Sequence, residues 1–142
     1  MSTRKRWQSL LLFLTLSFIW GHSCIPTTSS AEESGRVLQW IAPFLEFFVG
    51  KGAVTDHLVR KLAHFTEYAA LGPQFFLLRN DPLKSRILRS IELSFFVGFF
   101  DETIQILSDR GPQIADVWLD TAGAAFGVAI CAILLLLIRK SR

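Results

Sequence analysis

Long apolar stretches separated by short polar segments dominate the chain. Four of them cover about residues 7–23, 56–78, 87–107 and 117–138. Each approaches the roughly 20 residues that an α-helix needs to cross the hydrocarbon core of a bilayer. The pattern predicts an all-α polytopic membrane protein with four transmembrane helices. The first stretch could also be the core of a signal peptide, and we interpret it as an uncleaved span.

A shorter amphipathic segment lies between the first two stretches. The apolar residues from Val37 to Phe48 recur at helical spacing, whereas Gln39 and Glu46 fall off that stripe. This segment is too short to cross a bilayer, so we expect a short interfacial amphipathic helix in the first outer loop, with an ordinary packed helix as the alternative. The residues 25–31 are rich in Pro, Thr and Ser, which predicts a loop.

Composition excludes several classes of protein. Hydrophobic residues make up 51% of the 142 residues, a length that fits a single domain. The basic residues form short clusters without interleaved aromatic residues, so no nucleic-acid partner is expected. Cys24 and Cys131 are far apart in the predicted topology, and a disulfide between them is not expected. No Cys/His cluster has zinc spacing, so the sequence predicts neither a metal nor a cofactor.

The distribution of basic residues predicts the orientation. Ten of the 15 Lys and Arg residues lie in the N-terminal tail, the loop between the second and third spans, and the C-terminal tail. Because cytoplasmic segments of membrane proteins are enriched in Lys and Arg, we expect both termini and the 79–89 loop to be cytoplasmic. The loops 21–60 and 108–116 then face outward.

Ionisable residues converge at the outward-facing end of three predicted spans. A charge inside a bilayer costs about 2.5–3.5 kcal/mol on insertion scales, so these residues need a partner or a function. Their spacing places them on single helical faces. The residues concerned are His57, Lys61, His64 and Tyr68 in the second span, Asp101, Glu102 and Gln105 in the third, and Asp116 and Asp120 in the fourth. We expect one polar pocket there, closed by Arg110.

Two interpretations of these residues remain open. In the functional one, His64 is a general acid or base that Glu102 or Asp101 orients. Because adjacent helical residues point about 100° apart, we expect only one of these two carboxylates to face the pocket, and we favour Glu102. In the structural one, the charges are salt bridges that tether the helices. The ligand-binding candidates are Lys61, Gln105, Arg110, Asp116, Asp120 and Tyr68. We also considered Tyr68, with Trp20, Trp40 and Trp118, as residues of an aromatic belt at the membrane boundary.

A small-residue motif in the fourth span predicts close helix packing. Gly123-x-x-x-Gly127 removes side-chain bulk from one face, which allows a neighbouring helix to approach at backbone distance. We favour packing inside the bundle over homodimerisation.

Three sequence blocks together resemble a known family. They read Lys61-x-x-His64-Phe65-x-Glu67-Tyr68, then Asp101-Glu102-x-x-Gln105, then Asp116-x-x-x-Asp120-x-x-Gly123-x-x-x-Gly127. Their order and residues resemble the VanZ-like family of bacterial integral membrane proteins, although asparagine is expected at the Asp120 position in many members. The resemblance implies one VanZ-like domain over residues 1–142, with motifs at 57–138, in the bacterial cytoplasmic (inner) membrane. The founding member of the family is associated with resistance to the glycopeptide teicoplanin.

Two functions therefore stand as expectations. The first is binding or modification of an outer-leaflet lipid or a lipid-linked envelope component, and whether the protein is an enzyme is left open. The second is a structural or accessory membrane protein whose charges only join helices. The expected partners are membrane lipids, and a homo-oligomer or a membrane protein partner is also compatible with the sequence.

Overall fold

The computed structural model of the protein describes residues 3–24, 27–50, 52–107 and 114–141. Over these ranges the chain forms helices joined by short connections, and it contains no strand. The helices are α1 (Thr3–Ser23), α2 (Thr27–Val49), α3 (Asp56–Leu78), α4 (Leu83–Leu107) and α5 (Ile114–Lys140). The prediction of an all-α protein is therefore confirmed.

The helix α2 differs from its prediction. It begins at Thr27 and includes residues 27–31, so the loop predicted there is wrong, while 25–26 lie outside the described residues. Glu32 and Glu33, which are good helix formers, extend the helix toward its N-terminus and outweigh the weak helix propensity of the preceding Thr and Ser residues. Its apolar part, Val37–Phe47, coincides with the stretch that the sequence singled out.

Hydropathy separates α5 from the other helices. Among the described residues, α5 is the one helix that is both long and apolar enough to cross a membrane. The helices α3 and α4 are 23 and 25 residues long. They carry most of the ionisable residues that the sequence places at the outward-facing end of the spans, and these residues lower their hydropathy. Length and composition alone therefore do not establish four spans.

The C-terminal ends of α1 and α4 lie at the same end of the bundle. Near the middle of the bundle the Gln74 amide of α3 donates a hydrogen bond to the Thr15 hydroxyl of α1 at 3.0 Å. The C-terminal residue of α1, Ser23, reaches the C-terminal part of α4, where it contacts Asp101. One core cluster lies at this level, and a second near the other end. The first contains Ile19, Tyr68, Leu71, Val97 and Ala124, and the second Phe76, Val128 and Ala132.

Glycines bring α3 and α5 into backbone contact. The carbonyl oxygen of Phe65 occupies the space that a Cβ at Gly123 would need, and the carbonyl of Ala69 does the same at Gly127. Pro73 explains the second contact in part, since it has no N–H to donate to the carbonyl four residues earlier, which is that of Ala69. The motif in α5 therefore faces α3 within the same chain.

A third glycine makes this contact reciprocal. A Cβ at Gly72 of α3 would stand 2.6 Å from the carbonyl oxygen of Ala124 in α5. Small residues thus lie on both sides of the interface, and the two helices can approach more closely than Leu or Phe side chains would allow. This close approach also brings side chains of α3 and α5 together at the end of the bundle where Ser23 contacts Asp101.

Candidate functional site

Three side chains from three helices, two of them fully buried and the third half-buried, meet at one end of the bundle. His64 of α3, Asp101 of α4 and Asp120 of α5 each offer one nitrogen or oxygen atom, and these atoms all lie within 4.8 Å of one another. Both aspartates have 0% of their surface exposed. We call these three residues the His64 cluster. A cluster of this kind can hold a proton, a cation or a polar ligand away from bulk water.

The nearest charged partner of His64 is Asp120. The Nδ1 atom of His64 lies 3.6 Å from Oδ1 of Asp120, which is an ion-pair distance but too long for a hydrogen bond. No described residue forms a hydrogen bond with that nitrogen or with either carboxylate oxygen of Asp120. The sequence predicted that Glu102 or Asp101 would orient His64, and the structure places Asp120 next to it as well.

Asp101 rather than Glu102 belongs to the His64 cluster. Both carboxylates are buried. The Gln105 amide lies between them, and it donates to Asp101 at 3.2 Å and to Glu102 at 3.3 Å. The preference for Glu102 is thus not supported by proximity to His64, because Asp101 is the α4 residue within 4.8 Å of His64 and Asp120.

A residue that sequence analysis missed holds Asp101 in place. The Ser23 hydroxyl, at the end of α1, donates to Oδ1 of Asp101 at 2.5 Å, and both groups are buried. A single serine at the end of an apolar stretch carries no recognisable signal, since its role depends on how α1 packs against α4.

Replacement of Ser23 by alanine is expected to lower the free energy of unfolding by about 1–3 kcal/mol, because a buried charged acceptor loses a donor. Ser17→Ala is the matched control, since Ser17 is an exposed residue of the same helix. Thermal unfolding of both variants in detergent measures the difference. Equal melting temperatures for the two variants would contradict a stabilising role for Ser23.

Lys61 and Asp116 form the rim of the polar region. The Nζ atom of Lys61 donates to Oδ1 of Asp116 at 2.5 Å, and both side chains are partly exposed. This ion pair links α3 to α5 one helical turn away from His64 and Asp120. His57, the first residue of the predicted α3 stripe, is exposed and does not belong to the cluster.

Tyr68 lies inside the bundle. It has 0% of its surface exposed, which excludes the aromatic-belt interpretation for this residue, whereas Trp40 is 86% exposed. Its hydroxyl has no hydrogen-bond partner among the described residues. Gly98 of α4 leaves room for this arrangement, since a Cβ there would stand 3.3 Å from Oδ2 of Asp120.

A groove between α1 and α3 borders the polar region. Its volume is about 400 Å³, and it is mainly apolar. Glu67, which follows His64 by three residues, is the acidic residue in its wall. The other residues that line the groove are Leu14, Thr15, Phe18, Ile19, Thr66 and Ala70. Arg110, the predicted closing residue, lies outside the described residues.

The fold and site define a class of protein: over the described residues it is a bundle of helices, one of them long and apolar enough to cross a membrane, with a half-buried histidine beside two buried aspartates at one end. The chain belongs to the VanZ/LLP1 family, whose sequence model matches residues 8–136. The family is membrane-associated. No curated protein and no solved structure matches the chain.

Proposed function

We propose that the protein is a multi-pass protein of the bacterial cytoplasmic membrane that binds or modifies an outer-leaflet lipid or a lipid-linked envelope component at the His64 cluster. The observation that carries this proposal is the meeting of His64, Asp101 and Asp120 inside the helix bundle. In this arrangement α1, α3, α4 and α5 span the bilayer, and α2 lies at its outer surface.

The distribution of polarity supports four spans. Large apolar side chains cover the outside of the bundle, for example Phe13 of α1, Phe99 of α4 and Leu137 of α5, each more than half exposed. The interior instead contains Ser90 and Ser94, which are fully buried along with the aspartates. An apolar exterior around buried serines and aspartates is unfavourable in water and favourable in lipid, where ionisable residues of a helix bundle face inward.

Basic residues at the opposite end support the orientation. Arg4 and Lys5 of α1, Arg79 after α3 and Arg86 of α4 line one cavity of about 300 Å³. The N-terminal segment and the connection between α3 and α4 therefore contribute positive charge to the same end. Since cytoplasmic ends of membrane proteins are enriched in Lys and Arg, we place this end in the cytoplasm and the His64 cluster near the outer surface.

The groove between α1 and α3 indicates how a lipid could reach the cluster. Its apolar wall suits an acyl or polyprenyl chain, and Glu67 in that wall lies three residues from His64. The Lys61 ammonium group at the rim can pair with an anionic headgroup in place of Asp116. A ligand with one long apolar tail and a charged head fits this combination.

Photolabelling of the full-length protein in vesicles tests the proposal. We would compare a photoactivatable phosphatidylglycerol with a photoactivatable polyprenyl phosphate, and locate the labelled peptides. Labelling is expected to concentrate on the groove residues Leu14 and Ala70 and to fall several-fold in His64→Gln. The control Lys84→Gln, at the opposite end of the bundle, should label like the wild type. Even labelling of the whole apolar surface, unchanged by His64→Gln, would contradict the proposal.

If the protein modifies the lipid enzymatically, two substitutions should abolish the reaction. His64→Gln and Glu102→Gln should each abolish conversion of the bound lipid while folded protein still accumulates in the membrane. Full conversion by both variants would leave a binding protein. Teicoplanin susceptibility of cells that express each variant provides a readout at the level of the envelope.

The ion pair between Lys61 and Asp116 favours a second candidate, a structural protein whose charges join helices. A double-mutant cycle separates the two candidates. If the pair is only a tether, the exchanged variant Lys61→Asp/Asp116→Lys should recover the stability and activity that each single variant loses. If the pair forms part of a headgroup site, the exchange should restore stability without restoring lipid labelling.

A further inference from the structure

The spacing of the atoms in the His64 cluster is compatible with a metal site. A tetrahedral Zn²⁺ ion with ligands at about 2.0–2.2 Å holds neighbouring ligand atoms about 3.4 Å apart. The separation of His64 Nδ1 and Asp120 Oδ1 is 3.6 Å, and the Asp101 carboxylate has an oxygen within 4.8 Å of both residues. Small side-chain rotations would bring all three donors to bonding distance of one ion.

Unsatisfied buried atoms provide a second, independent observation. Asp120 is fully buried, and neither of its oxygens accepts a hydrogen bond from a described residue. The fully buried hydroxyl of Tyr68 also has no hydrogen-bond partner among the described residues. Buried polar atoms are normally satisfied, because each orphan costs about 1–3 kcal/mol and more when charged. A bound cation with a water molecule would satisfy these groups.

We propose that His64, Asp101 and Asp120 bind one divalent transition-metal ion, with Zn²⁺ favoured. An imidazole with two carboxylates is a borderline donor set that suits Zn²⁺ better than Mg²⁺ or Ca²⁺, which prefer oxygen ligands alone. Three protein ligands leave a coordination position open for water or for another ligand, as in catalytic rather than structural zinc sites.

The surroundings of Asp101 resemble the outer shell of a metal site. Ser23 donates to one oxygen of this carboxylate, and Gln105 donates to the other. Such outer hydrogen bonds fix the orientation of a ligating carboxylate. Ser23 therefore serves as a positioning residue, because it acts on the ion through Asp101.

The open coordination position suits the phosphate of the lipid headgroup that we propose as ligand. A divalent cation attracts the phosphate of a lipid headgroup and polarises its P–O bonds. This step rests on the proposed function, whereas binding of the metal itself does not, so the two can be tested separately.

Metal binding is measured on the full-length protein in detergent, with any polyhistidine tag removed. The protein is stripped with a chelator, exposed to Zn²⁺, Mn²⁺ or Mg²⁺, desalted and analysed for metal content. We expect about one Zn²⁺ per chain and a rise in melting temperature with Zn²⁺ concentration. Co²⁺ substitution should give the visible absorption of a tetrahedral site.

Asp120→Asn is expected to lose stoichiometric Zn²⁺, whereas Asp116→Asn, one turn earlier on the same helix, should retain it. If Asp120→Asn fails to fold, Ser23→Ala provides the test, since loss of an outer-shell donor typically weakens metal affinity about 10–100-fold. Absence of stoichiometric Zn²⁺ and Mn²⁺ from the wild type, or equal metal content in Asp120→Asn and Asp116→Asn, would overturn the proposal. If the wild type binds no metal and lipid labelling still depends on His64, the metal site is rejected and the proposed function stands.

Discussion

Replacement of Gly127 by leucine is expected to prevent accumulation of folded protein. The carbonyl of Ala69 already occupies the space of a Cβ at this position, and a leucine side chain adds three further carbons against the same backbone. Overpacking in a core typically costs about 1–3 kcal/mol, and backbone atoms of a helix yield less than side chains do. The loss should therefore exceed that range and separate α5 from α3.

The matched control is Gly21→Leu in α1, since no atom lies within 4 Å of a Cβ at Gly21. Both variants replace a helical glycine, which by itself improves helix propensity. Membrane abundance and the elution profile of a fluorescent fusion in detergent measure the outcome. Wild-type abundance and elution of Gly127→Leu would mean that α3 and α5 are not in backbone contact.

The second large effect is on cysteine labelling, which reports the orientation of the protein in the membrane and should be close to all-or-none. In a variant without Cys24 and Cys131, a cysteine at Lys84 should react with a membrane-impermeant maleimide only after the membrane is permeabilised. Ala53→Cys, in the exposed connection between α2 and α3, should react in intact spheroplasts. The reason is the excess of basic residues in the 79–89 loop and the two tails.

Labelling of Lys84→Cys from outside would reverse the orientation and place the His64 cluster at the cytoplasmic surface. Labelling of both cysteines only after permeabilisation would mean that α3 does not cross the membrane. Either result rejects the proposed outer-leaflet ligand and leaves the metal site testable, because metal binding does not depend on orientation.

Helix positions could be predicted from the sequence because apolar runs and their polar interruptions report directly on local structure. The boundaries of α3 agree with the predicted 56–78 stretch, where Thr55 caps the helix by accepting a hydrogen bond from the amide of Leu58. The start of α2 could not be predicted, since Ser and Thr residues favour turns when isolated and are accommodated in a helix when strong formers follow.

The contacts between residues of the His64 cluster were harder to predict than the residues themselves. Helical spacing identified His64, Asp101 and Asp120 as residues of one level, but it does not reveal which helices are neighbours. The close packing of α3 on α5 decides that Asp120 lies beside His64. Ser23 was missed for the same reason, since its contact with Asp101 depends on the packing of α1.

A metal was not predicted because zinc motifs are recognised by donors that are close in sequence. In this chain the three donors come from three helices, and only tertiary packing brings their atoms within 4.8 Å. Spacing along the chain carries no information about such a site.

The arrangement of α5 has a consequence for biogenesis. This helix supplies Asp116 to Lys61 and Asp120 to His64, and it is the last of the five to leave the ribosome. If α3 spans the bilayer as proposed, its Lys61 and His64 lack these partners until α5 is synthesised, and lipid penalises an unpaired charge. The earlier helices should therefore stay beside the translocon or a chaperone until α5 arrives, and a nascent chain that stops before it should be a substrate for membrane proteases.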